Sequence, residues 1–158
     1  MAGNIVPVVP VAEGQVLVMW NGVFQPNVVE VKLPKQEHGE VVVHPLGRAA
    51  PIKAADGTVE WDDLEITWAM GEGVPVAPLY LWWLSVVDPK TSLGNVALAN
   101  NQTIQVIDQN NAGLPMITHV LLIWPKTMDA GKREGGSKDP RKLMTGFSVN
   151  HYEMVPTL

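Results

Sequence analysis

Residues 103–125, TIQVIDQNNAGLPMITHVLLIWP, form two extended runs around a polar turn. The second run, residues 116–124, is apolar at successive positions, so a strand made from it carries apolar side chains on both faces. A strand with one face in water would instead alternate apolar and polar residues. This strand must therefore be covered on both sides, either by its own fold or by a neighbouring molecule.

Composition excludes several classes of protein. At 158 residues the chain has the length of one domain, residues 1–158, and can bury a core without disulfides or a structural metal. It has no cysteine, which removes disulfides, thiolate metal sites and cysteine nucleophiles. Its formal charge of −5 argues against tight non-specific binding of nucleic acid, which needs clustered Lys and Arg.

Neither a secretory signal nor a membrane segment is expected. The amino-terminal arm, residues 1–14, has no basic residue before its apolar part, and Pro7 and Pro10 interrupt that part. The longest apolar run, residues 74–87, is shorter than the roughly 18–20 residues needed to span a bilayer.

The hydrophobic pattern predicts a mainly β fold. Extended runs at 15–20 and 28–33 are interpreted as a pair of strands joined by NGVFQPN. Residues 34–58 form a long insertion with one predicted strand at 41–44, and residues 78–88 have helical spacing. The other predicted strands are 64–68, 103–108, 116–124 and 143–154. About seven strands and one flanking helix predict a β-sandwich or barrel.

Candidate catalytic groups are sparse, and we expect no metal or cofactor. The four histidines are scattered, and His119 lies in an apolar strand, where a core or interface histidine with its hydrogen bonds satisfied is expected. Asp63 and Glu65 are two residues apart and share one face of a strand, as in an ordinary solvated surface. The basic segment 130–142 has no aromatic residue, which favours a solvated hairpin tip over a nucleic-acid patch.

Two alternatives from other functional classes stay open. An enzyme on a β-sandwich would have to use the remaining polar candidates, which are Asp62, Asp63, Glu65, His119 and His151. A carbohydrate-binding module would use aromatic platforms, for which the candidates are Trp61, Trp82 and Trp83. Neither alternative explains why the chain has more apolar surface than one core needs, whereas self-assembly does.

The carboxy-terminal part of the chain resembles a known family. An aromatic-rich helix, PLYLWWLSVVD, is followed by TIQVIDQNNAGLP, by a strand ending in a tryptophan and a proline, THVLLIWPKTMDAG, and by a last strand, KLMTGFSVNHYEMV. This order is similar to that of the tail tube proteins of long phage tails, and to the related tubes of contractile bacteriocins and of type VI secretion (Hcp-like). The resemblance covers roughly residues 60–156.

The resemblance implies a structural virion protein that is not an enzyme. Its protomers would pair edge to edge into hexameric rings, which stack into the inner tube of a long tail and form a conduit for genome ejection. The long insertion and the amino-terminal arm would then make the contacts between rings. The residues implied for ring stacking are Leu46, Gly47, Arg48, Ala49, Ala50, Pro51, Ile52, Ile5, Val6, Val8 and Val9.

The resemblance also implies partners and a location. The partners would be other copies of the chain, together with sheath, tape-measure and baseplate proteins, and the particle would be a tail assembled in the bacterial host cytoplasm. Double-stranded DNA would pass without specific binding, because carboxylates on the channel wall repel phosphates. Asp63, Glu65 and Thr67 are the candidates for this wall. A bacteriocin or type VI secretion tube remains an alternative.

Overall fold

The computed structural model describes residues 15–47, 49–71, 74–86, 101–131, 135–136, 138 and 141–157. These residues form nine strands and one helix. The elements are β1 (Val16–Trp20), β2 (Val23–Phe24), β3 (Val28–Lys32), β4 (Gln36–Val43), β5 (Ile52–Trp61), β6 (Leu64–Ala69), α1 (Val76–Val86), β7 (Gln102–Gln109), β8 (Pro115–Asp129) and β9 (Lys142–Pro156). The mainly β class with a single helix is confirmed.

Seven strands form one curved antiparallel sheet with the order β2-β1-β7-β8-β9-β6-β3. The pairing predicted between residues 15–20 and 28–33 is wrong, because β1 pairs with β2 and β7 whereas β3 pairs with β6. The physical reason is the Asn21-Gly22 dipeptide, in which both residues have positive φ, 49° and 81°. This dipeptide makes a two-residue hairpin turn that returns the chain immediately into β2.

The two longest strands form the centre of the sheet. β8 and β9 have 15 residues each and pair over most of their length, with register shifts next to Leu122 and Pro125. One face of β8 places His119, Leu121 and Ile123 in the core. The other face, with Val120, Leu122 and Trp124, is only partly covered by the described chain.

Helix α1 closes the core over the concave side of the sheet. It carries no acidic residue in its first turn and no basic residue in its last turn, and only Leu79 and Trp82 are buried. The indole of Trp82 stacks between Trp20, at a centroid distance of 5.8 Å, and Phe147, at 5.5 Å. The helix was predicted at 78–88, so the prediction begins two residues after the observed first residue, Val76. The predicted end lies outside the described residues.

The prediction of a long loop at residues 34–58 is wrong. Apart from its turn, this insertion is a two-stranded antiparallel sheet made of β4 and β5, and the predicted strand at 41–44 is only the end of β4. The hairpin is anchored near its base, where the Trp61 indole N–H donates to Gln36 Oε1 at 3.2 Å and the Trp61 ring meets His151 edge-on at 6.0 Å. Beyond this base the hairpin stands in solvent, since every residue of β5 before Trp61 is exposed.

Candidate assembly surfaces

The β4–β5 hairpin has two chemically different faces in the half that leads to its tip. Val41 is opposite Ala54 and Val43 is opposite Ile52, and alternate residues of a strand share a face. We call this set, Val41, Val43, Ile52 and Ala54, the apolar hairpin face. The residues between them form the charged hairpin face, which is Glu40, Val42, Lys53 and Ala55, and on it Lys53 Nζ lies 3.7 Å from Glu40 Oε1.

A bulge separates this half of the hairpin from its base. The pairing shifts between His38 and Glu40, where Gly39 faces Asp56 and Thr58 on β5. A Cβ on Gly39 would collide with both side chains, so a larger residue there would require Asp56 and Thr58 to move. The Thr58 hydroxyl donates to Asp56 Oδ1 at 2.6 Å and its backbone N–H donates at 2.9 Å, and these bonds lower the pKa of Asp56. Bulges of this kind locally bend a strand and increase its twist.

A second apolar surface lies beside helix α1. It is a groove of about 470 Å³ between the helix and the sheet, and we call it the helix groove. Its lining residues are Met70, Val76, Tyr80, Trp83, Met128, Ala130, Lys142 and Leu143. The rings of Tyr80 and Trp83 stack at 6.1 Å with an interplanar angle of 11°, and both remain exposed to solvent. Of these lining residues, only Lys142 carries a charge.

A third surface is a cleft between the two ends of the sheet. Its volume is about 640 Å³, and its lining comes from β1, β3, β7 and the segment around β2. β2 pairs with β1 only at Met19 and Trp20, so the outer edge of β1 before these residues is not covered by a strand among the described residues. β3 is the last strand at the other end of the sheet. Within the part of the chain that the structure describes, these two strand edges have no neighbouring strand beside the cleft.

The residues predicted for ring stacking lie mostly at the hairpin tip. Leu46, Gly47, Ala49, Ala50 and Pro51 lie between β4 and β5, and Ile52 begins β5. The Leu46 side chain is fully exposed, so it has no part in the core of its own protomer. Arg48 and the arm residues Ile5, Val6, Val8 and Val9 lie outside the described residues.

The residues predicted to line a channel lie on or next to β6. Glu65 and Thr67 occupy the face of β6 that points away from the buried residues Leu64 and Ile66. Glu65 lies 3.7 Å from Lys32 Nζ, and Asp63 lies 3.0 Å from Lys126 Nζ. Lysines therefore offset part of the negative charge of this surface, and its role as a channel wall stays a prediction.

His119 belongs to a buried hydrogen-bond network that the sequence pattern did not reveal. Its Nε2 lies 2.6 Å from Asp108 Oδ2 on β7, and its Nδ1 lies 2.6 Å from the Tyr152 hydroxyl on β9. Burial, and after it the charge of Asp108, raises the pKa of Tyr152. The prediction that His119 is a histidine of the core with its hydrogen bonds satisfied is confirmed. No buried side-chain nitrogen or oxygen among the described residues lacks a hydrogen-bond partner.

The residues of the enzyme alternative do not converge. Glu65 is opposite Gly146 of β9 and His119 is opposite Met154, so the two groups lie eight residues apart along that strand, roughly 26 Å. His151 packs against Trp61 at the base of the hairpin. The described residues contain no group of three or more His, Cys, Asp or Glu arranged to hold a metal ion.

The tryptophans of the carbohydrate-binding alternative do not form a common platform. Trp82 is buried in the core, Trp83 stacks on Tyr80 beside the helix groove, and Trp61 lies at the base of the hairpin.

In the described part of the chain, the one helix has 11 residues, and no helix is long and apolar enough to span a membrane.

The fold, in contrast to the sequence, has close counterparts. No family model matches this chain, and no curated protein matches its sequence. The anti-feeding prophage cap (AFP tube terminating cap) is similar with a TM-score of 0.79 at 12% identity, over 99% of this chain and 100% of that chain. The sheath/tube terminator of the extracellular contractile injection system PVC is similar with a TM-score of 0.75 at 15% identity, over 94% and 98% of the two chains.

A chain of the PVC sheath-tube complex in the extended state is also similar. Its TM-score is 0.73 at 14% identity, and the match covers 94% of this chain and 93% of that chain. Identities this low establish the fold and nothing finer. This chain therefore has, over nearly its whole length, the fold of proteins solved in a tube terminating cap, a sheath/tube terminator and a sheath-tube complex.

Proposed function

We propose that this protein is a structural subunit of a phage-tail-like particle, which self-assembles into hexameric rings that stack into the inner tube of the tail. The observation that carries the proposal is the end-to-end likeness of fold, which covers almost all of this chain and of each solved chain. A subunit of such a tube does no covalent chemistry. Its function is to provide a bore, a stacking surface and an outer wall.

The exposed surfaces support self-assembly independently of that likeness. Apolar side chains are exposed on the hairpin and on helix α1, and they are partly exposed on the second face of β8. Contiguous apolar patches on a protein surface often mark sites of interaction with other molecules. Two open strand edges at the ends of the sheet would pair between protomers, and closure of a ring would remove them.

In the tube, the carboxylates Asp63 and Glu65, with Thr67, would face the channel and keep double-stranded DNA from adhering during ejection. Sheath, tape-measure and baseplate proteins would be the other partners. The same subunit geometry would serve a contractile bacteriocin or a type VI secretion tube, which differ in what passes through the bore.

A second candidate is a terminator that caps the end of a tube with a single ring. The observation that favours it is that two of the chains with this fold were solved in a tube terminating cap and in a sheath/tube terminator. A terminator would form one closed ring and no longer stack, because one side of that ring would not bind a further ring.

Negative-stain electron microscopy of the purified protein over a concentration series tests both candidates. Hollow tubes that lengthen with concentration would support the tube subunit, and rings that never stack would support the terminator. A uniform monomer at the highest concentration, with the same result by light scattering, would overturn the proposed function.

A further inference from the structure

The cleft between the two ends of the sheet has the size and the lining of a binding site. Its volume of about 640 Å³ lies within the range of pockets that hold small molecules. The buried residues Val18 and Val106 form part of its lining, so the cleft opens onto the core. Among the residues that the structure describes, the charged ones in this lining are Glu30 and Asp108, and both are acidic. The cleft therefore favours a ligand that combines an apolar part with a positive charge.

Asp108 is a carboxylate held in place at the cleft. Its Oδ2 lies 2.6 Å from Nε2 of His119, and Nδ1 of the same imidazole lies 2.6 Å from the Tyr152 hydroxyl. His119 and Tyr152 are buried, whereas the Asp108 side chain is 35% exposed. Within the described ranges, no hydrogen-bond donor meets the second oxygen of this carboxylate, Oδ1. The buried network thus orients one acceptor that a ligand can reach.

Gln25 supplies a second acceptor. The residue is only 8% exposed, and its Nε2 donates to the Val23 carbonyl at 3.1 Å. No donor in the described part of the chain meets its carbonyl oxygen, Oε1. This oxygen is not sealed from solvent, because each fully buried side-chain oxygen of the described residues has a partner. A side chain more than nine-tenths buried therefore lines the cleft with an oxygen that can still accept a hydrogen bond.

The two acceptors are close enough for one ligand. The backbone N–H of Gln25 donates to the Val18 carbonyl of β1, and Val16, two residues earlier, is opposite Asp108 of β7. Two strand spacings and two residues along a strand separate the backbones of Gln25 and Asp108 by roughly 12 Å. The two side chains span part of this distance. A planar guanidinium, which has N–H donors on opposite sides, can bridge the remainder, whereas an ammonium is a compact point charge.

We propose that the cleft binds a guanidinium group carried on a short aliphatic stem. The guanidinium donates to Asp108 Oδ1 and to Gln25 Oε1, and Glu30 adds negative charge to the same cleft. The stem lies against Val18 and Val106. A small free cation and an arginine side chain of another protein share this chemistry. The inference goes beyond the proposed function, because the site belongs to one protomer and needs no ring.

Saturation-transfer NMR with butylguanidinium tests the site. The method reads binding from the ligand signals, so it works for single protomers and for assemblies. In Asp108→Asn, the new Oδ1 can still accept from His119, while an amide donor replaces the free carboxylate oxygen. Glu60→Gln is the matched control, because it removes the same charge from the exposed strand β5, outside the cleft. Circular dichroism checks that both variants fold.

We expect Asp108→Asn to weaken the binding of butylguanidinium at least about tenfold and Glu60→Gln to change it less than about twofold. Neutral butylurea, which has a similar shape and no charge, should bind at least about tenfold more weakly than butylguanidinium. The site would be overturned by equal binding to Asp108→Asn and the parent protein, by equal binding of butylurea, or by no binding of butylguanidinium to the parent.

A second variant tests the other acceptor without touching the buried network. Gln25→Met removes the carbonyl oxygen, and water can replace the bond to the carbonyl of Val23, which is an exposed residue. We expect this variant to bind butylguanidinium about threefold or more weakly than the parent protein. Unchanged binding would overturn a site with two acceptors.

A blocked tripeptide with arginine between two valines distinguishes the two sources of the guanidinium. Binding at least about tenfold tighter than that of butylguanidinium would support the site and identify an arginine of an extended protein segment as the ligand. Binding that is no tighter, and that is also lost in Asp108→Asn, would support the site and identify a small free cation. Binding of the tripeptide that Asp108→Asn leaves unchanged would overturn the site.

Discussion

The phenolic oxygen of Tyr152 lies 2.6 Å from Nδ1 of His119, and both side chains are buried within the sheet. With Nε2 of the imidazole donating its proton to Asp108, Nδ1 accepts the hydroxyl proton of Tyr152. In this arrangement every polar atom of the imidazole has a partner. The network joins three neighbouring strands through one histidine.

Tyr152→Phe should therefore destabilise the protein. The substitution keeps the ring but leaves Nδ1 of His119 without a donor, and a buried polar atom without a partner costs about 1–3 kcal/mol. Urea denaturation measures the difference in the free energy of unfolding. Tyr80→Phe is the matched control, because the Tyr80 side chain is about half exposed and its hydroxyl can be replaced by water contacts. Equal stability of the two variants would contradict the role assigned to the network.

The network also predicts a dependence on alkaline pH. Burial raises the pKa of Tyr152 above its value in the unfolded chain, so the folded state holds the phenolic proton more tightly. The contribution of Tyr152 to stability is full below pH of about 10 and falls as pH rises through the raised pKa. Denaturation at a series of alkaline pH values should show a decline that is smaller in Tyr152→Phe. Tyrosinate absorbance is a simple second probe, since the chain has only two tyrosines.

The adjacent tryptophans of helix α1 should respond differently to substitution. Trp82 is buried between Trp20 and Phe147, so Trp82→Ala should lower the free energy of unfolding by about 3–5 kcal/mol. Trp83 is partly exposed in the helix groove, and Trp83→Ala should change stability by about 1 kcal/mol or less while weakening assembly. Thermal denaturation and sedimentation together separate the two effects. A large loss of stability in Trp83→Ala would make it a residue of the core.

Close packing of two strands predicts the effect of one methyl group. Gly146 of β9 is buried, and a Cβ there would collide with Thr127 Oγ1 of β8. Gly146→Ala should cost about 1 kcal/mol, because the Thr127 side chain must move to make room for the methyl group. Adding Thr127→Ala removes the hydroxyl and should restore most of that stability in a double-mutant cycle. Additive effects of the two substitutions would show that the collision is not the cause.

The tip of the hairpin provides a test of ring stacking. Leu46 is fully exposed, so Leu46→Asp should leave the free energy of unfolding within about 0.5 kcal/mol of the parent. If the tip makes contacts between rings, the variant should form rings or monomers that no longer grow into tubes, as seen by electron microscopy. Unimpaired tubes would remove Leu46 from the stacking role.

Sequence patterns predicted the elements that pack in the core. β6 to β9 were found because one face of each strand is buried, which imposes a recognisable pattern on residues such as Leu64 and Ile66. The hairpin was missed because neither of its faces packs on the body, so no core imposes alternation on its residues. Asp56 and Gly57 in the middle of β5 also have low β-propensity, and they are tolerated there because they form a bulge.

Contacts between residues far apart in the chain could not be predicted from local sequence patterns. His119 was expected to be buried, but its partners Asp108 and Tyr152 lie 11 and 33 residues away in the chain. Only the register of β7, β8 and β9 brings them together. The helix groove was missed for a similar reason, since its lining comes from the helix, from the ends of β8 and β9, and from Met70.

The long pairing of β8 with β9 has a mechanical consequence. The two strands run antiparallel for nearly their entire 15 residues, and their hydrogen bonds lie across the strand direction. A force along the strands would load these bonds together in shear, whereas a force at one end would break them one after another. The β8–β9 pair therefore resists a load along its strands better than a load that separates the strands from one end.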